Sequence, residues 1–122
     1  MTAPRPAADD GAPRGLSRRV LLDQPLPTAR LVERVEVREI TLPGRLEVGA
    51  HRHPCPVFGQ VLRGAILFEV EGQPPQRLTA GDLFYEPAVT PILHFDAIDE
   101  PATFIAYFLL GPGEDNVLEM VE

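Results

Sequence analysis

The sequence predicts an all-β chain, a sandwich or barrel of short strands. Three observations carry this. The 122 residues include 14 prolines and 10 glycines, which suits frequent turns and not long helices. Strand-like apolar runs are separated by turn signals at intervals of about eight to twelve residues. No segment sustains a helical apolar period over several turns. The length fits one domain with a core of its own.

Residues 1–16 are rich in Pro, Ala, Asp and Gly and lack apolar periodicity, so they read as a disordered N-terminal lead; residues 17–122 form the single domain. Val20–Leu22 is a short apolar run, an expected edge strand broken by Pro25 and Pro27. Val35, Val37, Ile40 and Leu42 predict a strand, with the change of parity between Val37 and Ile40 suggesting a bulge or twist. A helix over Arg30–Glu39 competes, but the β-branched content and the Pro43-Gly44 turn favour the strand. Val61–Glu71 reads as two strand segments meeting at Gly64, followed by a turn at Gly72-Gln-Pro-Pro75. Gln76–Thr79 leads to the turn Ala80-Gly81-Asp82. Leu83–Pro87 is a short strand stopped by proline, and Pro91–Asp96 is another. Thr103–Leu110 is apolar at both parities, as in a strand covered on both faces. Residues 114–122 read as a short helix or an arm.

Composition narrows the chemistry. The net charge is −7 with no basic stripe, which argues against nucleic acid or an anionic membrane as partner. The chain has no lysine, which removes Schiff-base chemistry and the lysine of a phosphate-binding loop. Ser17 is the only serine, and it lies outside the strand region. A single cysteine excludes an intramolecular disulfide. No secretory or membrane-spanning apolar segment is present, so a cytoplasmic location is expected.

The residues that carry chemistry converge on Gly49–Gly64. His51 and His53 are one residue apart, so on a strand their imidazoles share a face about 7 Å apart at the backbone. Taken alone, His-Arg-His is also compatible with an exposed polar patch. His94, the third and last histidine, sits in a second strand-like run. Such sparing use of histidine points to a built site.

The spacings go further. After His51-x-His53 comes Val57 four residues on, then Gly64 after six more. Downstream, Gly81 is followed after five residues by Pro87, then by His94. This pattern resembles the two motifs of small single-domain cupins, the RmlC-like barrels. The first is a His-x-His pair, a glutamate where Val57 stands, and a glycine at Gly64. The second is a glycine, a proline, a histidine and an asparagine. Here His94 falls about two residues late, Val89 stands where a glycine is common, and Ile98 or a neighbour replaces the asparagine.

The resemblance implies a double-stranded β-barrel, or jelly roll, with His51, His53 and His94 in its mouth. They would hold one divalent metal ion (Fe, Mn, Zn, Ni or Cu) as a neutral three-histidine face. Glu86 or Asp96 could supply charge from nearby. The implied function is a metal-binding cupin with a small-molecule cavity, a dioxygenase-type or other metal-assisted enzyme such as an isomerase. The alternative is a non-catalytic ligand-binding or sensor barrel that lost its glutamate. Substrate-facing candidates are Gln60, Cys55, Tyr85 and Phe95. Each also has a plain reading: Gln60 facing solvent, Cys55 a buried small hydrophobe, Tyr85 and Phe95 core residues. The doubly apolar strand 103–110, together with Ala65–Phe68, predicts a homodimer.

Overall fold

Nine strands in two antiparallel sheets make up the regular structure of residues 11–121, the part of the chain that this computed structural model describes. They are β1 (Arg34–Leu42), β2 (His51–Arg52), β3 (Val57–Arg63), β4 (Ala65–Val70), β5 (Gln76–Thr79), β6 (Leu83–Glu86), β7 (Ile92–Ala97), β8 (Ala102–Leu110) and β9 (Glu119–Met120). One sheet runs β1-β8-β3-β6 and the other β5-β4-β7-β2-β9. Strands close in sequence are dealt to opposite sheets, as in a jelly roll.

Alternation builds the core. From β3, Val57 and Val61 turn inward; from β4, Ile66, Phe68 and Val70; from β8, Phe104, Ala106, Phe108 and Leu110. Four rings, Phe68, Phe84, Phe95 and Phe104, pack edge-to-face or tilted with centroids 4.7–5.9 Å apart, geometry that suits the aromatic quadrupole. Gly64 makes the corner where β3 passes into β4 and so into the other sheet. Its φ is +82°, and a Cβ there would lie 2.6 Å from the Pro101 carbonyl oxygen. Only glycine meets both conditions.

Several expectations need correction. Val20–Leu22 forms no strand and lies exposed. No strand or helix occurs between residues 11 and 33. The first ten residues of the expected disordered lead, and Glu122, lie outside the described residues. The parity change between Val37 and Ile40 is not a bulge, because β1 pairs with β8 in unbroken register from Arg34↔Leu110 to Leu42↔Ala102. Val35 and Val37 instead face out, half exposed, while Ile40 and Leu42 face in. The register shifts lie in β3, where pairing with β8 skips Leu62, and in β7. Glu69 pairs with His94 but the next residue, Val70, pairs with Ile92. Leu93 is the extra residue. The C-terminal segment is an arm: β9 adds to β2 with Met120 opposite His51.

Candidate metal centre

His51 opens the short strand β2, which is pinned between β7 and β9, and His53 follows directly after it. Both imidazoles are buried, and their ring centroids are 5.2 Å apart, so the expected shared face is realised. The His51 Nδ1 lies 2.9 Å from the Gly49 carbonyl oxygen. A carbonyl only accepts, so Nδ1 carries the proton and Nε2 keeps its lone pair for a ligand. Gly49 reaches this position with φ +90°, a conformation natural to glycine.

The third group is Glu86, the last residue of β6. It is 3% exposed, and its Oε2 lies 3.1 Å from His53 Nε2. That is close to the roughly 3 Å between neighbouring ligand atoms that sit about 2.1 Å from one ion at right angles. One donor atom each from His51, His53 and Glu86 falls within 4.8 Å of the others. Among the described residues no arginine pairs with Glu86. His53 Nδ1 is buried with no hydrogen-bond partner. The carboxyl group and the two imidazoles converge in an apolar wall with no other polar side chain in the lining. A divalent cation fits this donor set.

His94 is not brought to this cluster. The bulge at Leu93 flips the parity of β7, so Ile92 points into the core and His94, two residues on, points out. Its side chain is 46% exposed. Its Nδ1 lies 2.8 Å from Asp96 Oδ2, and its Nε2 3.9 Å from Glu69. Asp96 also accepts from the Val48 amide, so this pair fastens the loop before β2. The usual motif spacing puts its histidine about where Ile92 stands, fully buried and opposite His51.

The centre opens on a cavity of about 110 Å³. Its polar lining is His51, His53 and Glu86; every other lining residue is aliphatic or aromatic, including Leu42, Val57, Phe84, Phe95, Phe104 and Phe108. Val48 and Leu118 stand among the wall residues on the β1–β2 loop and the C-terminal arm.

Of the four substrate-facing candidates, Phe95 lines this cavity and the other three do not. Gln60 and Tyr85 share the outward parity of Phe58. Gln60 donates to the Gly81 carbonyl, and Tyr85 packs its ring on Phe58 at 5.0 Å. Burial raises the Tyr85 hydroxyl pKa. Cys55 is fully buried between Pro54 and Pro56, with Arg30 and Glu114 as its charged neighbours. Burial first, and then the Glu114 charge, push its thiol up to about 11, so at neutral pH it is an inert core thiol. Val89, at the glycine-like position, adopts φ +64°, strained for a β-branched residue. Its amide donates to the His53 carbonyl at 2.8 Å, which ties the β6–β7 turn to the centre.

Glu86 is the residue that spacing did not assign as a ligand. The signal was present in the alternation Leu83-Phe-Tyr-Glu, which puts Glu86 on the same face as Phe84.

No curated protein sequence matches this one significantly. Among solved structures, the lyase DddQ of Ruegeria pomeroyi DSS-3, which acts on DMSP, is similar at 25% identity with TM-score 0.61, covering 68% of this chain and 42% of that one. A cupin-like protein of Thermotoga maritima is similar at 24% identity with TM-score 0.57, covering 72% and 68%. A variant of salicylate 1,2-dioxygenase from Pseudoaminobacter salicylatoxidans is similar at 26% identity with TM-score 0.55, covering 62% and 22%. The chain thus spans less than half the length of the lyase and of the dioxygenase. Residues 37–108 match the model of the cupin domain family, which takes in most of both sheets and the His51, His53 and Glu86 cluster. The chain belongs to the cupin family.

Proposed function

We propose that this cupin is a metal-dependent enzyme for a small molecule, with one divalent ion held by His51, His53 and Glu86. The observation that carries this is the buried His53–Glu86 contact beside His51, in a cavity with no other polar wall. Two imidazoles and a carboxylate with open positions are the donor set of non-haem Fe(II) oxygenases, and also suit Zn(II) or Mn(II). A bound ion supplies Lewis-acid polarisation and, as Fe(II), reactivity toward dioxygen. The chain's own residues do the rest. Gly49 holds the His51 ring in one tautomer. Glu86 contributes the anionic ligand, and the phenylalanine walls make the rest of the cavity apolar.

The DMSP lyase and the salicylate dioxygenase support an enzyme over a passive binder, because both are named for reactions. The main motive for a non-catalytic barrel was the missing carboxylate at Val57. Glu86 removes that motive. A homodimer belongs to the same reading: the outer face of β1 and β8 presents Val35, Val37 and Tyr107 half exposed. So does a cytoplasmic location, where a lone unpaired thiol is ordinary.

Elemental analysis of untagged protein tests the proposal. About one divalent ion per chain is expected, lost in His51→Ala and in His53→Ala. Protein that takes up no Fe(II), Mn(II) or Zn(II) at stoichiometric concentration contradicts it.

A further inference from the structure

We infer that the cavity selects small monoanions with an apolar body, such as short monocarboxylates, and rejects dianions and zwitterions of the same size. The inference rests on the proposed metal centre and adds the ligand class.

Charge is the first argument. A divalent ion held by one carboxylate and two neutral imidazoles carries a single net positive charge. One anionic headgroup neutralises it. A second carboxylate on the ligand leaves a buried negative charge, and an ammonium leaves a buried positive one.

The wall is the second argument. Beyond His51, His53 and Glu86, the lining contains no hydroxyl, amide, arginine or further acid. Gln60 and Tyr85, which could have met a second polar group, face the other side of their sheet. Phe84, Phe95 and Phe104 line the cavity as one packed aromatic wall, with ring centroids 4.7–5.8 Å apart. Nothing in this lining can receive a distal charge; the Arg38 guanidinium, 5.9 Å from the Phe108 ring centroid, is outside the lining and already paired with Glu36. A methylene placed against this wall gains affinity by leaving water.

Size is the third. A dry cavity of about 150 Å³ accommodates benzene. A volume of about 110 Å³ therefore takes roughly four to six non-hydrogen atoms. Leu118, 48% exposed, is a lining residue that reaches the surface.

The test uses the full chain loaded with Co(II), whose visible absorption reports ligand exchange at the metal. It is titrated at neutral pH with acetate, butyrate, 4-methylpentanoate, 3-aminopropionate and succinate. 3-Aminopropionate has as many non-hydrogen atoms as butyrate, and succinate as many as 4-methylpentanoate, so each pair differs in distal charge and not in size. Butyrate is expected to bind roughly tenfold tighter than acetate, from two buried methylenes. 3-Aminopropionate and succinate are expected to bind roughly 100-fold weaker than their uncharged-tail counterparts. Leu118→Arg puts a guanidinium at this half-exposed wall position and should recover succinate binding at least about tenfold without helping butyrate. Succinate or 3-aminopropionate binding as tightly as its counterpart overturns the inference, as does a Co(II) spectrum that no carboxylate perturbs. Failure to take up Co(II) at all removes the metal centre, and the ligand class with it.

Discussion

Val57 and Glu86 face each other across the β3–β6 ladder as direct partners. Val57 occupies the position where the cupin pattern carries its glutamate, and the carboxylate comes instead from the residue opposite. Both side chains line the same cavity. Cross-strand partners have Cβ atoms about 5 Å apart, so a ligand can change strands and still reach the same point.

This exchange makes a direct prediction. Glu86→Val removes the only carboxylate and should weaken metal binding by more than about 100-fold, beyond what loss of an outer partner costs. The double variant Val57→Glu with Glu86→Val returns the carboxylate to β3 and should recover most of that affinity. Competition titration against a chromophoric chelator measures both. A double variant no better than Glu86→Val alone would show that position 57 does not reach the ion.

Gly59 faces Phe84 on the same ladder. A Cβ at Gly59 would lie 2.2 Å from Phe84 Cζ and 2.5 Å from the Ile105 carbonyl oxygen. Gly59→Ala should therefore cost about 1–3 kcal/mol through overpacking, seen in urea unfolding. Adding Phe84→Leu should recover part of it, because the ring is the part of the clash that can be removed. No loss of stability in Gly59→Ala would mean the sheets are less closely packed at this point than the account holds.

Cys55 bears on pH. Its thiol is pushed up to about 11 by burial and by Glu114, whereas an unfolded cysteine titrates near 8.5. Above that pH the unfolded chain loses its proton first. The contribution to stability is thus complete below about pH 8.5 and is lost as pH rises toward 11. Cys55→Ala should flatten the alkaline fall in melting temperature between these limits. Rapid alkylation of native protein at pH 8 would contradict the burial.

Assembly is tested at Val37. This residue is 50% exposed on the outer face of β1 and pairs with Tyr107, itself 40% exposed. Val37→Glu places a charge in that face and should turn a dimer into a monomer in size exclusion with light scattering. A wild-type mass of one chain at micromolar concentration would remove the dimer altogether.

Much of the architecture was legible because strands alternate and turns carry glycine and proline. Gly64 and Pro87 marked real breaks, and His51-x-His53 shared a face as period-two geometry requires. The errors have local causes. The bulge at Leu93 is one unpaired residue, invisible in composition, and it turns Ile92 inward; His94 faces out by plain alternation with the core residue Phe95 and pairs with Glu69. Gln60 and Tyr85 followed their strand parity away from the cavity. Glu86 was hidden because motif spacing directs attention to one strand, while a metal ion responds to distance across strands. Val35 and Val37 imitated a bulge because an exposed apolar face reads like a buried one.

The most direct test compares two isosteric or small substitutions for metal content. Glu86→Gln keeps the shape of the side chain and removes its charge; His94→Ala removes the histidine that lies outside the cluster. Purified without a tag and dialysed against the same limiting Fe(II) or Zn(II), Glu86→Gln should lose most of its metal while His94→Ala retains about as much as the wild type. Full retention in Glu86→Gln together with loss in His94→Ala would contradict the His51–His53–Glu86 centre.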